Sequence, residues 1–210
     1  MTDILLLGAG GHAQSCIEVL EKAHGFQIAG LVGTRDQLGR SVLGYPVLGT
    51  DEDLPVLSKR VRYALVCVGQ IHPTQLRARL FAQARSLGFE LPVVIAADAQ
   101  VSRHAVLGSG TIVMHGVVVN ARAQVGANCI LNTRCLVEHG AQVADHCHIA
   151  TGAIVNGECH VGEGSTLGSG CVLREGVRLG RGCLVGMGLA LRHDLPDGGV
   201  FTGQRKEACQ

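Results

Sequence analysis

From Ile95 to Leu191 the chain places an Ile, Leu or Val at every sixth residue, seventeen times with no insertion. An α-helix repeats every 3.6 residues and a strand every 2, so neither period alone produces this series. Four residues after each aliphatic comes a smaller side chain, mostly Ala, Ser, Thr or Cys, including Cys129, Cys135, Cys147, Cys159, Cys171 and Cys183. This small residue and the next aliphatic are two apart, so in an extended chain both point to one side. The residues between them face out or turn. Glycine recurs at the second and fourth places of the six, as in Leu167-Gly168-Ser169-Gly170 and Leu179-Gly180-Arg181-Gly182. There a sharp corner benefits from φ > 0.

Each six therefore reads as a short strand followed by a corner. Such a unit cannot bury its own apolar side, but coils stacked about 4.8 Å apart bury a continuous aliphatic column. The expected fold of this half is a parallel β-helix. With three sixes to a coil, Cys129, Cys147, Ser165 and Cys183 fall in one column, and Cys135, Ala153 and Cys171 in another. These thiols read as small core hydrophobes. No CxxC spacing suggests zinc, so no metal is expected.

Composition agrees with a narrow core: thirty glycines, five prolines, no tryptophan, four Phe and two Tyr among 210 residues. Eighteen basic and seventeen acidic residues give a formal charge of +1 with no long like-charge run, which argues against a nucleic-acid partner or a charged membrane surface. No apolar stretch reaches membrane-spanning length, and the opening MTDILLLGAGG carries an acid where a secretory signal carries Lys or Arg. A cytoplasmic location is the expectation.

Residues 1–94 lack the repeat and read as a small α/β, Rossmann-like domain, with the β-helix and a tail in 95–210. Ile4-Leu5-Leu6-Leu7 predicts a strand from Asp3 to Gly8 buried on both faces. Gly8-Ala9-Gly10-Gly11-His12-Ala13 then opens a helix to about Lys22, with strands expected at Ile28–Gly33 and Tyr63–Gly69. After His72-Pro73, the spacing of Leu76, Leu80, Ala84 and Leu87 before Gly88 predicts an amphipathic helix. Gly8-x-Gly10-x-x-Ala13 fits a turn whose amides hold a pyrophosphate at a helix N-terminus. An acid about twenty residues on, wanted for an NAD ribose, is replaced by Leu31-Val32-Gly33, which disfavours a redox role.

The glycine turn GAGGHA followed by hexapeptides containing NTRCLVEHGAQVADHCHIATGAIVNG resembles the sugar acetyltransferases of the PglD and NeuD type. The likeness spans nearly the whole chain. It implies a left-handed β-helix, a homotrimer, acetyl-CoA bound between neighbouring subunits, and an acceptor that is a nucleotide-linked amino sugar or a sialic acid hydroxyl. Carried over motif by motif, it implies His139 as catalytic histidine, Asn132 as the asparagine one repeat earlier and His148 beside the acetyl group. It also implies that the Gly157 amide faces the thioester carbonyl, and that His12 of the turn, with Gly8, Gly10 and Gly11, serves the sugar nucleotide. Two departures stand out. Val32-Gly33 replaces the acid that UDP-sugar relatives place after the second strand, and Gly203-Gln204-Arg205-Lys206 lacks the proline of the family tail.

The residues suit that chemistry. An amine attacking a thioester must lose a proton, a task for an imidazole near its ordinary pKa. His139 lies two places past Val137, at a corner and out of the core. Glu138 beside it is a candidate to orient the ring, although neighbours in an extended chain face apart. A fixed backbone N–H such as that of Gly157 suits a developing oxyanion. His139 and His148 lie nine residues apart, half a coil, so meeting requires a neighbouring chain and a rotational oligomer. The reading is N-acetylation of an amino sugar, with O-acetylation of a sialic-acid-like sugar next. A metal-dependent β-helix enzyme and a non-catalytic sugar-nucleotide binding module remain as rivals.

Overall fold

The computed structural model describes residues 1–23, 25–70 and 75–203. His72, Pro73 and the tail Gln204–Lys206 lie outside them. The N-terminal domain has a five-stranded sheet of order β3-β4-β2-β1-β5, with β1 (Thr2–Leu7), β2 (Phe26–Val32), β3 (Ser41–Val42), β4 (Tyr45–Gly49) and β5 (Tyr63–Val66). β4, β2, β1 and β5 run parallel, and β3 closes an antiparallel hairpin onto β4. The hairpin carries no hydrophobic alternation of its own and was not expected from the sequence.

The fully buried run Ile4–Leu7 explains the layering. Ile4 and Leu6 pack with Ala13, Cys16 and Ile17 of α1 (Gly11–Lys22), whereas Leu5 and Leu7 pack with Leu80, Phe81 and Ala84. Those last three belong to the helix Gln75–Ser86, so helices cover both faces of a mostly parallel sheet. The inward stripe of Gln75–Ser86 differs from expectation at one position. Leu76 is exposed, and Arg77 is buried in its place. The Arg77 guanidinium donates to the carbonyls of Val66 (2.7 Å), Val68 (3.0 Å) and Asn128 (3.2 Å), and Asn128 Nδ2 donates back to the Arg77 carbonyl. Carbonyl dipoles thus offset the cost of burying this cation, and they pin the end of β5 to a β-helix corner.

From Val94 onward two-residue strands stack in three parallel sheets, a left-handed β-helix. Partners such as Val118 and Leu136, Gln124 and Gln142, and Ile130 and His148 are eighteen residues apart, which sets three sixes per coil. The six repeat cysteines are all buried, as their columns predict. The two glycine places serve different ends. Every sixth residue from Gly110 to Gly188 has positive φ, filled by glycine or by Arg122, Asn128, Arg134, His146 and Glu158. Second-place Gly162 instead allows close stacking, since a Cβ there would lie 2.3 Å from the Gly180 carbonyl oxygen.

The outward residues give the prism three unlike faces. Ile112, Ile130, His148 and Thr166 form a face docked against the α/β domain, where Gln70 Nε2 reaches the His146 carbonyl and Thr166 Oγ1. Gln124, Gln142, His160 and Arg178 form a polar face. The third face presents half-buried Val118, Leu136, Ile154 and Val172, an apolar stripe with no cover among the described residues. Among the described residues no helix is long and apolar enough to cross a membrane.

Candidate active site

A cleft of about 900 Å³ opens where the C-terminal ends of the parallel strands meet the docked face of the prism. Ligands bind at this end of open α/β sheets because the strand-to-helix turns present free amides there. Gly8, at φ +123°, is fixed by crowding: a Cβ would sit 2.9 Å from Val68 Cγ2 and 3.0 Å from the Cys67 backbone. Gly10 and Gly11 face open space instead. α1 begins at Gly11 with no side-chain cap and no acid in its first turn; the Ala13 N–H donates to the Gly10 carbonyl at 3.1 Å, while the Gly11 and His12 N–H groups have no partner among the described residues. That is the electrostatic setting for an anion.

His12, Asn132 and His148 line the same cleft. His12 Nε2 is enclosed and has no partner among the described residues. The half-buried His148 ring has its Nδ1 against the Gln70 carbonyl, which only accepts, so Nδ1 carries the proton. Nε2 then accepts from Asn132 Nδ2 at 3.3 Å. Burial pushes the His148 pKa down to about 4, against the opposing effect of the bond to Gln70. The ring is neutral at physiological pH and presents a fixed tautomer.

His139 and Gly157 lie elsewhere on the prism. The coil spacing that stacks Cys129 on Cys147 also stacks His139 on Gly157. The exposed His139 ring covers the glycine so closely that a Cβ at 157 would lie 2.8 Å from Cε1 and 3.0 Å from Nε2. Gly157 is not in the left-handed region, so this contact, rather than a turn, accounts for the missing side chain. Its carbonyl accepts from Gly176 N–H at 3.0 Å, while its own N–H has no partner among the described residues. Glu138 Oε2 accepts from the His139 backbone N–H at 3.1 Å and does not bond the ring.

The structure thus gathers Gly8, Gly10, Gly11, His12, Asn132 and His148 in one place, and His139, Glu138 and Gly157 in another. His148 lines the cleft together with the glycine turn. The two groups occupy the two edges flanking the uncovered apolar face: Asn132 follows the docked-face strand Ile130–Leu131, and His139 follows the apolar-face strand Leu136–Val137. Sequence reasoning missed Gln70, Asp51 and Glu52, which also line the cleft. Both acids sit in the short 3-10 turn Asp51–Asp53 that follows β4. Among the described residues no three His, Cys, Asp or Glu gather as a metal site.

An α/β domain with a glycine turn docked on a hexapeptide β-helix, with a histidine and a free amide at a prism edge, defines a hexapeptide-repeat acyltransferase. Residues 3–83 match the PglD N-terminal domain, and residues 160–192 match the hexapeptide repeat of succinyl-transferase. Perosamine N-acetyltransferase from Caulobacter crescentus, solved with CoA and GDP-perosamine, superimposes with a TM-score of 0.89 at 34% identity, covering 95% of this chain and 93% of that one. The acetyltransferase domain of PglB from Neisseria gonorrhoeae FA1090, solved with acetyl coenzyme A, gives 0.87 at 33% identity over 94% of each chain. WeeI from Acinetobacter baumannii AYE shares the fold, with a TM-score of 0.83 at 20% identity over 97% of each chain. No curated protein sequence matches. The chain belongs to the PglD-type sugar acetyltransferases and is an enzyme that uses acetyl-CoA as co-substrate.

Proposed function

We propose that the enzyme N-acetylates a nucleotide-linked amino sugar as a homotrimer, at sites shared between neighbouring copies. The observation that carries this reading is the seating of the His139 ring over Gly157, beside an unpartnered amide, at one edge of an uncovered apolar face. In a cyclic assembly that buries this face, contacts are head to tail. The His139 edge of one copy then meets the Asn132 and His148 edge of the next.

In that arrangement the uncapped amides of α1 bind the diphosphate and the sugar amine reaches the shared edge. The amine nitrogen attacks the thioester carbonyl as His139 accepts its proton. A carbon–nitrogen bond forms and the negative charge on the oxygen falls to the Gly157 N–H. Collapse breaks the carbon–sulfur bond, and the proton held by His139 passes to the departing thiolate. Glu138 holds the corner that carries the imidazole through the His139 amide. His148, neutral and fixed by Gln70, helps Asn132 shape the acceptor end of the cleft. The N-acetyl transfer named for the Caulobacter enzyme favours an amine over a hydroxyl acceptor.

Release of CoA thiol from acetyl-CoA, followed across nucleotide-linked amino sugars, free amino sugars and sialic acid, tests the reading. Turnover requiring a nucleotide-linked amine is expected. Turnover with sialic acid in place of such amines would contradict it.

A further inference from the structure

We propose that Cys16 and Cys67 are an oxidisable pair beneath the glycine turn, and that their disulfide weakens acceptor binding by drawing α1 toward the end of β5. This rests on the reading that the α1 amides hold the acceptor, and it adds a control on that site. Cys67 lines the cleft, and Cys16 lies one turn along the helix whose first N–H groups open into it. Both thiols are free and buried.

The pairing follows from register. Cys67 extends β5, its N–H donating to the Leu7 carbonyl at 2.7 Å. Along this run Leu65 and Cys67 join the cluster that holds Ala13, Cys16 and Ile17 of α1, while Val66 and Val68 pack on the other side of the sheet. A Cβ at Gly69 would lie 3.5 Å from His12 Cβ, which sets the first turn of α1 against residue 69. A crossover helix runs back against its strands, so four residues along it, about 6 Å, retrace about two residues of strand. That step leads from His12 to Cys16 and from Gly69 to Cys67.

The surroundings favour a thiolate. Arg77 holds the Val66 and Val68 carbonyls on either side of Cys67, and neither its Nη2 nor His12 Nε2 has a partner among the described residues. The bond from the Cys67 thiol holds Cys16 below the ordinary thiol range against burial, and His12 and Arg77 add to it. Burial pushes Cys67 itself upward, as it pushes the repeat thiol Cys171 up to about 12.

Hydrogen peroxide, small enough to enter the cleft, is the oxidant. The Cys16 thiolate attacks one peroxide oxygen, the oxygen–oxygen bond breaks, and the other oxygen leaves as hydroxide and is protonated to water. The Cys67 sulfur then displaces hydroxide from the sulfenic acid, and its thiol proton completes the second water. Two electrons pass to peroxide and one sulfur–sulfur bond forms. Bonded sulfurs lie about 2.05 Å apart, inside van der Waals contact, so the link draws α1 and its free Gly11 and His12 N–H groups toward Cys67.

Hydrogen peroxide treatment of the full chain, followed by peptide mapping and by turnover of acetyl-CoA with whichever acceptor the reduced enzyme uses, tests the proposal. The Cys16 and Cys67 peptides are expected to be joined, and kcat/KM for the acceptor to fall at least about tenfold, in keeping with a displacement approaching 1 Å. Dithiothreitol is expected to reverse both changes. Cys16→Ala, small enough for its buried place, is expected to keep its rate through the same treatment. Treated wild type without a Cys16–Cys67 link would overturn the pair. A link that leaves kcat/KM unchanged, or an equal loss in Cys16→Ala, would overturn the control. Failure of nucleotide-linked amines as acceptors of the reduced enzyme would strike that reading alone, since mapping needs no acceptor.

Discussion

The two edges beside the apolar face carry the same residue type in opposite surroundings. His139 is exposed, its ring makes no hydrogen bond among the described residues, and it packs against a glycine. His148 is half-buried, bonded at both nitrogens, and held near a pKa of 4 by desolvation. A proton acceptor must be free to take and return a proton, whereas a binding group gains from a fixed tautomer. On the proposed mechanism, proton transfer falls to His139 and ligand positioning to His148, and this contrast in surroundings is what supports that division.

The sharpest way to break this contrast is His139→Ala, expected to lower kcat by about a hundredfold to ten-thousandfold with the melting temperature unchanged. A wild-type rate would move the base elsewhere. Gly157→Ala probes the same edge through geometry. The backbone there accepts a side chain, but the added Cβ would displace the His139 ring, and a shift near 1 Å costs up to about a hundredfold in rate. Unchanged turnover would mean that the ring's seat over Gly157 is incidental.

The smallest effect belongs to His148 and appears in stability. Its folded pKa, about 4, lies below its ordinary value of 6.5, so between these the unfolded chain binds a proton that the folded chain refuses. The stabilisation is complete above pH 6.5 and declines as pH falls toward 4, by on the order of 3 kcal/mol in total. Thermal melts of the wild type and His148→Gln across this range should converge as pH falls. Parallel curves would contradict the burial of a neutral ring.

The prism was legible because its rule is local. Each six residues must bury one aliphatic and one small side chain, so the sequence from Val101 to Leu191 states its own coil. His139 at a corner follows from that count, and so does its stacking on Gly157, one coil away. The cleft was less legible because its walls come from distant segments. Glu52 lies beside the glycine turn only because β4 pairs with β2, and Arg77 reads as a surface residue until Val66, Val68 and Asn128 turn their carbonyls toward it. The tie between Gln70 and His148 crosses seventy-eight residues and leaves no periodic trace.

The central claim is that His139 of one copy serves the cleft of the next. Co-expression of two inactive chains tests it directly, one carrying His139→Ala and the other Asn132→Leu with His148→Leu. In head-to-tail rings of randomly mixed chains, about a quarter of the sites would join an intact His139 to an intact cleft, and about a quarter of wild-type activity is expected to return. A mixture as inactive as either parent, with mixed oligomers shown to form, would place the whole site within one chain and contradict the account.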